Sequence, residues 1–242
     1  MKPDLRRLQP AVALAIVGWL LACAHSAQIE SSWPDPEITV DGAYADWSGR
    51  LVRLDDGRSV AVGVANDRAN LYLCLVTRDF EIQSMIQRSG LTIWLDPEGG
   101  RQKRIGFRIA PLEPKDIATS PAYIELVVEG AEYGEQRVAP VENGPIEVRS
   151  AAHADVTAYE IRVALGTPLG LSNARSSVTL APGPLLGLGF ETEELLVGRD
   201  RDPRRDGDIA ADPEDPGPLL RRTRRYEPMR AWAVAKLAER RG

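Results

Sequence analysis

In Leu91-Thr92-Ile93-Trp94-Leu95-Asp96 the apolar residues recur at every second position. That period sets Leu91, Ile93 and Leu95 on one face of a strand and Thr92, Trp94 and Asp96 on the other. Leu71, Leu73 and Leu75 oppose Tyr72 and Cys74 in the same way. Alternating or β-branched runs predict further strands at Ile38–Val40, Ser59–Ala65, Asn70–Thr77, Arg104–Ala110, Ala122–Glu129, Ile146–Ser150, Ala158–Leu165 and Leu185–Thr192. Turn clusters such as Ala65-Asn66-Asp67 and Asp96-Pro97-Glu98-Gly99-Gly100 separate them. Such spacing predicts an all-β sandwich or barrel. One helical stretch stands out, Phe80–Arg88, with Ile82, Met85 and Ile86 on one face and Asp79 placed to cap its start. It reads as one short connecting helix. No self-similar period marks a propeller or solenoid.

Before the strands comes a different pattern. Lys2, Arg6 and Arg7 precede an apolar run from Ala11 to Ala22, too short to span a hydrocarbon core about 30 Å thick as a helix. Residues 1–22 therefore read as a secretory leader. The run closes on Leu20-Leu21-Ala22-Cys23, which resembles a bacterial lipobox and implies lipidation of Cys23 as the first mature residue. An ordinary signal peptide cut near Ala22 or Ala27 is the alternative. Ala24 after the cysteine, in place of Asp, implies the outer membrane in a Gram-negative envelope. Residues 23–36, with Pro34 and Pro36, read as a lipidated tether, and residues 37–242 as one domain. Within it, 191–218 reads as an exposed acidic loop, because Glu191–Asp215 holds ten acidic and four basic residues. Tyr226–Ala238 reads as a closing strand with Trp232, Val234 and Lys236 on one face, with a short amphipathic helix as the alternative.

Composition narrows the function. The 242 residues are 43% hydrophobic and carry a net charge of −5, and no dominant basic block invites nucleic acid. Removing the leader leaves 27 basic against 34 acidic residues, a charge of −7. Two cysteines and two histidines exclude a zinc finger or a disulfide framework. Cys74, inside an apolar run, reads as an inert core thiol. His153 reads as a loop residue, and no hydrolase elbow, zincin helix or phosphate loop is present. Asp200, Asp202, Asp206 and Asp208 do not follow the EF-hand spacing. The chain is thus read as no enzyme, with no catalytic residues. Binding has the better case, since a sugar ring stacks on aromatic faces while a few polar groups fix its hydroxyls. Trp47, Tyr72, Trp94 and Trp232 are the aromatic candidates. If the leucine faces meet in the core, Tyr72 and Trp94 come together on the other face with Asp96, giving a ligand site of Tyr72, Trp94 and Asp96. The alternative is that these rings pack under loops as a second small core.

Ile38-Thr39-Val40-Asp41-Gly42 with Asp46-Trp47, Asn66-Asp67 before Leu71-Tyr72-Leu73, Trp94-Leu95-Asp96-Pro97, Tyr159-Glu160-Ile161-Arg162-Val163 and Leu186-Gly187-Leu188-Gly189-Phe190 occur in that order. Together they resemble the carbohydrate-binding module family 9-like (DOMON-type) β-sandwich of bacterial secreted proteins. The resemblance implies a single jelly-roll-like antiparallel β-sandwich. In sugar-binding members it also implies a saccharide held between two tryptophans, with structural calcium supporting the loops and no other cofactor. Trp94 matches the central-strand aromatic, and the motifs assign no second tryptophan. Thr92 stands where an acidic residue is usual, and Ala164 where proline is. Haem, which some DOMON-type relatives bind, needs axial ligands, and Met85, Met229 and His153 are placed by no motif. The expectation is a non-catalytic, lipid-anchored envelope lipoprotein that binds carbohydrate or another envelope component. A structural or assembly lipoprotein that binds a protein partner is the alternative, and a glycoside-acting hydrolase a third reading.

Overall fold

The computed structural model describes residues 26–54, 59–111, 124–128, 136–138, 144–153, 155–169, 178–198 and 223–239. The leader, Cys23 and the acidic stretch 199–218 lie outside the described residues. In chain order the strands are β1 (Ala27–Glu30), β2 (Leu51–Arg53), β3 (Val60–Asn66), β4 (Asn70–Thr77), β5 (Leu91–Asp96), β6 (Ile105–Ile109), β7 (Ile124–Val128) and β8 (Gln136–Val138). They continue as β9 (Ile146–His153), β10 (Val156–Ala164), β11 (Pro168–Leu169), β12 (Val178–Thr179), β13 (Leu185–Thr192), β14 (Leu195–Gly198), β15 (Thr223–Tyr226) and β16 (Arg230–Lys236). One sheet has the order β1-β16-β13-β5-β6-β7-β8, and a facing sheet has β2-β3-β4-β10-β9. Short pairs β11-β12 and β14-β15 complete the set. The chain passes repeatedly from one large sheet to the other, and every strand pair in them is antiparallel except β1 with β16. The fold is an all-β sandwich.

The alternation read from sequence explains the core. Val62, Val64, Leu71, Leu73, Leu75, Tyr159 and Ile161 from the five-stranded sheet meet Ile93, Leu95, Phe107, Leu188 and Phe190 from the seven-stranded sheet, all buried. Ala231, Ala233 and Ala235 give β16 a thin inner face against the same core. Helix α1 (Phe80–Ser89) adds Ile82, Met85 and Ile86. The Asp79 carboxylate accepts from the backbone N–H groups of Glu81 and Ile82, satisfying donors that a helix start leaves open.

Four segments differ from the sequence reading. The expected acidic loop 191–218 is strand in its described part, because Glu191 and Thr192 end β13 and Leu195–Gly198 forms β14 paired with β15. Ala27–Glu30, assigned there to the tether, pairs in parallel with Ala233–Lys236, and Ile29 is buried in the main core. An apolar residue at the right parity was enough to recruit this short stretch to the sheet edge. Ile38–Val40 is no strand; it crosses the outer surface of the five-stranded sheet, where Ile38 and Trp47 pack with Tyr72, Cys74, Val76, Val156 and Ala158. His153 ends β9 and is not in a loop. Trp47 belongs to a 3-10 turn at Tyr44–Trp47, and Gly63 lets its indole approach β3 closely, since a Cβ there would collide with the ring. The closing strand forms at Arg230–Lys236 with Trp232 and Val234 facing outward.

Candidate functional site

Tyr72 and Trp94 do not come together. Both leucine faces do turn into the core, but they belong to different sheets. Two facing sheets that share a core direct their remaining faces to opposite sides of the molecule. Tyr72 is 5% exposed beneath the Ile38–Trp47 segment, and its hydroxyl donates to Asp67 Oδ2 at 3.2 Å. Its ring belongs to a second small core and is not open to a ligand. Cys74 beside it is free and buried, and desolvation pushes its thiol well above the ordinary range, with the Glu160 charge adding to the effect. It is an inert thiol.

This second core is pinned by a residue that the sequence pattern did not single out. Glu160 on β10 is fully buried. Its Oε1 accepts from Trp47 Nε1 at 2.7 Å, while Oε2 accepts from the backbone N–H of Gly42 at 2.7 Å and of Asp41 at 2.9 Å. Burial raises the pKa of this carboxyl above its ordinary value, and the three donors oppose the rise only in part. The arrangement ties the covering segment to the sheet and leaves no lone pair facing a cleft, so Glu160 is structural.

Trp94 lies on the outer face of the seven-stranded sheet, and the register gives it a partner. Trp232 on β16 pairs with Gly189 on β13, Gly189 pairs with Trp94 on β5, and Trp94 pairs with Gly106 on β6. These four residues form one row across four strands, with the tryptophans about 10 Å apart from strand spacing. A Cβ on Gly189 would stand 2.8 Å from the Trp232 ring, and one on Gly106 would stand 2.6 Å from the Trp94 ring. Each indole therefore lies flat over the glycine of the next strand, leaning the same way, and the pair makes a stepped aromatic platform. Glycine in a strand interior is what permits such close approach.

Polar groups ring the platform. Trp94 Nε1 donates to Glu191 Oε2 at 3.1 Å, and Lys103 Nζ reaches the same oxygen at 2.7 Å. The Lys103 ammonium stands 5.3 Å from the Trp94 ring centroid, within the range of a cation–π contact. Trp94 is only 8% exposed, whereas Trp232 is half-buried. Arg108 contacts the Ser89 carbonyl and Glu193 beyond Thr92.

Asp96, the third expected ligand residue, is used within the β5–β6 turn. It is 1% exposed, its Oδ1 accepts from Glu98 N at 3.2 Å, and its Oδ2 accepts from Gln102 N at 2.9 Å. Arg104 lies 3.5 Å from Oδ1. The turn so held folds back over the sheet, its Gly100 carbonyl resting on the bare face of Gly187. Arg101 at its tip reaches Ser26, with Nε 2.8 Å from Oγ. Asp96 shapes one wall of the platform and offers a ligand nothing. Of the expected site, Trp94 remains, joined by Trp232, Lys103 and Glu191. The signal for Trp232 was present in Gly187-x-Gly189, whose period strips one strand face of side chains. Among the described residues no group of three or more His, Cys, Asp or Glu is placed to hold a metal ion.

No family model matches the sequence, and no curated protein does. Among solved structures, the chain is similar to a carbohydrate binding module family 9 from Caldicellulosiruptor kristjanssonii in complex with glucose. That match has 14% identity and a TM-score of 0.45, over 88% of this chain and 97% of that one. A structure of a family 9 module from the same organism with cellotriose gives 15% identity and a TM-score of 0.43, over 88% and 95%.

Proposed function

We propose that the chain is a non-catalytic carbohydrate-binding protein whose site is the outer face of the seven-stranded sheet. The observation that supports this reading is the row Trp232–Gly189–Trp94–Gly106, which lays two indoles flat on a glycine floor. Pyranose rings present C–H faces that stack on such surfaces, and Glu191 and Thr92 supply hydroxyl partners beside them. Trp232 is the open half of the platform and Trp94 the capped half.

The same proposal places the protein in the cell envelope, lipid-anchored through Cys23, and at the outer membrane if the envelope is Gram-negative. The lipobox-like Leu20-Leu21-Ala22-Cys23 supports it. Three residues, Ala24, His25 and Ser26, separate Cys23 from Ala27 at the start of β1, four steps along the chain with a reach of at most about 14 Å. An anchored domain would therefore sit at the lipid surface with the platform close to it.

Titration of the full chain with a saccharide panel, followed by tryptophan fluorescence, tests the binding reading. The expected result is a saturable change in the wild type and about tenfold weaker binding in Trp232→Ala, the usual scale for a lost stacking indole. A folded protein that responds to no saccharide overturns it.

A further inference from the structure

Resting on the carbohydrate reading, we infer that the face selects an acidic saccharide, one bearing carboxylates on its rings, with Lys103 and Arg230 as the specificity-determining residues. Three observations lead there. First, Lys103 occupies the stacking surface of Trp94: its ammonium lies 5.3 Å above the ring and 2.7 Å from Glu191 Oε2. A neutral sugar reaches Trp94 only by breaking that ion pair and offers no charge in return. Second, the pair is open to exchange, since the Lys103 and Glu191 side chains are 40% and 19% exposed. An incoming carboxylate that takes the place of Glu191 keeps the lysine charge paired, while the Trp94 indole still donates to Glu191. As Lys103 turns to it, the indole beneath is uncovered.

Third, a second cation stands at the other half of the platform. Arg230 is exposed on β16, two positions before Trp232 and on the same face, about 7 Å along the strand. Its register partner is Glu191, whose Oε2 accepts from Lys103 and the Trp94 indole. Lys103 and Arg230 against Glu191 leave this patch one positive charge in surplus, on a chain whose net charge is −5. An acidic ring stacked on Trp232 thus has two cations near it, Arg230 on the same strand and Lys103 beside Glu191 on the adjacent one. A neutral ring of the same shape gains the stack alone.

The test compares trigalacturonate with cellotriose on the full chain, by fluorescence titration at about 20 mM and about 500 mM salt. The expected result is about tenfold tighter binding of trigalacturonate at low salt, falling below about threefold at high salt as exposed charges are screened. Lys103→Ala and Arg230→Gln each weaken trigalacturonate about three- to fivefold. Lys103→Ala also tightens cellotriose, because it uncovers Trp94, a change that a merely structural lysine would not produce. Both side chains lie at the surface, and unchanged thermal melting checks that the variants fold. Equal or tighter binding of cellotriose by the wild type overturns this inference and leaves the carbohydrate reading standing. So does a preference for trigalacturonate that survives in the double variant. Binding of neither ligand by folded protein overturns both.

Discussion

Removing the Glu160 carboxylate is expected to release the segment that covers the five-stranded sheet. In Glu160→Ala the Trp47 indole N–H and the backbone N–H groups of Asp41 and Gly42 all lose their acceptor. Each hydrogen bond to a charged acceptor is worth about 1.5–3 kcal/mol, and relief of a desolvated charge offsets part of the sum. The net loss is about 3–4 kcal/mol, or about 10 °C in melting temperature for a chain of this size. Glu160→Gln keeps one oxygen for Asp41 and Gly42 but turns an NH2 toward Trp47, and is expected to lose about 1–2 kcal/mol. The pH dependence has a definite sign. Burial raises the folded-state pKa of Glu160 above its unfolded value, so between those two values the folded chain binds more protons than the unfolded chain. The stability from this group is present below the ordinary carboxylate range and lost as pH rises through the raised value. Urea unfolding of the wild type and both variants across that window measures it. An alanine variant within about 1 kcal/mol of the wild type would refute the pinning role. An advantage of wild type over Glu160→Gln that grows with pH would refute the sign.

Two further substitutions probe the seven-stranded sheet. Ile29→Ala empties a position that is 1% exposed in the main core, and a loss of about 2–4 kcal/mol is expected by urea unfolding; a neutral outcome would return residues 27–30 to the role of tether. Gly189→Ala sets a methyl group 2.8 Å from the position of the Trp232 ring, which must tilt off the sheet. Saccharide affinity is expected to fall about fivefold or more with stability changed by about 1 kcal/mol or less, and unchanged affinity would remove Trp232 from the platform.

The course of the main strands was legible because burial on one face imposes period two. Leu91–Asp96 and Leu185–Thr192 form with the boundaries the alternation predicts. The jelly-roll expectation and the order of the resembling motifs agree with a sandwich, yet sheet membership was not legible, since alternation states which face is buried and not which sheet carries it. That missing fact is why Tyr72 was placed beside Trp94 when it lies on the opposite outer surface. Short strands such as β2 and β14 carry too few residues to show a period, and β1 was hidden by the prolines that follow it.

Glu160 shows a different kind of opacity. A lone carboxylate at an outward position of a strand reads as solvated, because charge and exposure go together at surfaces. The contrary signal lay on the neighbouring strand, where Tyr72, Cys74 and Val76 make the same outer face apolar. An outer face that is apolar on β4 and charged on β10 is inconsistent with free exposure, and the register sets Glu160 opposite Cys74. The conflict resolves only if another segment covers the sheet and brings donors with it, which Asp41, Gly42 and Trp47 do. The same logic runs in reverse on the seven-stranded sheet. There Gly106, Gly187 and Gly189 leave an outer face without side chains, and what lies on them are two indoles and a folded-back turn. One outer face is thus closed by a segment locked through a buried charge. The other carries two indoles on a glycine floor, with Lys103 held over one of them by a part-buried ion pair, and it is the face on which the proposed function rests.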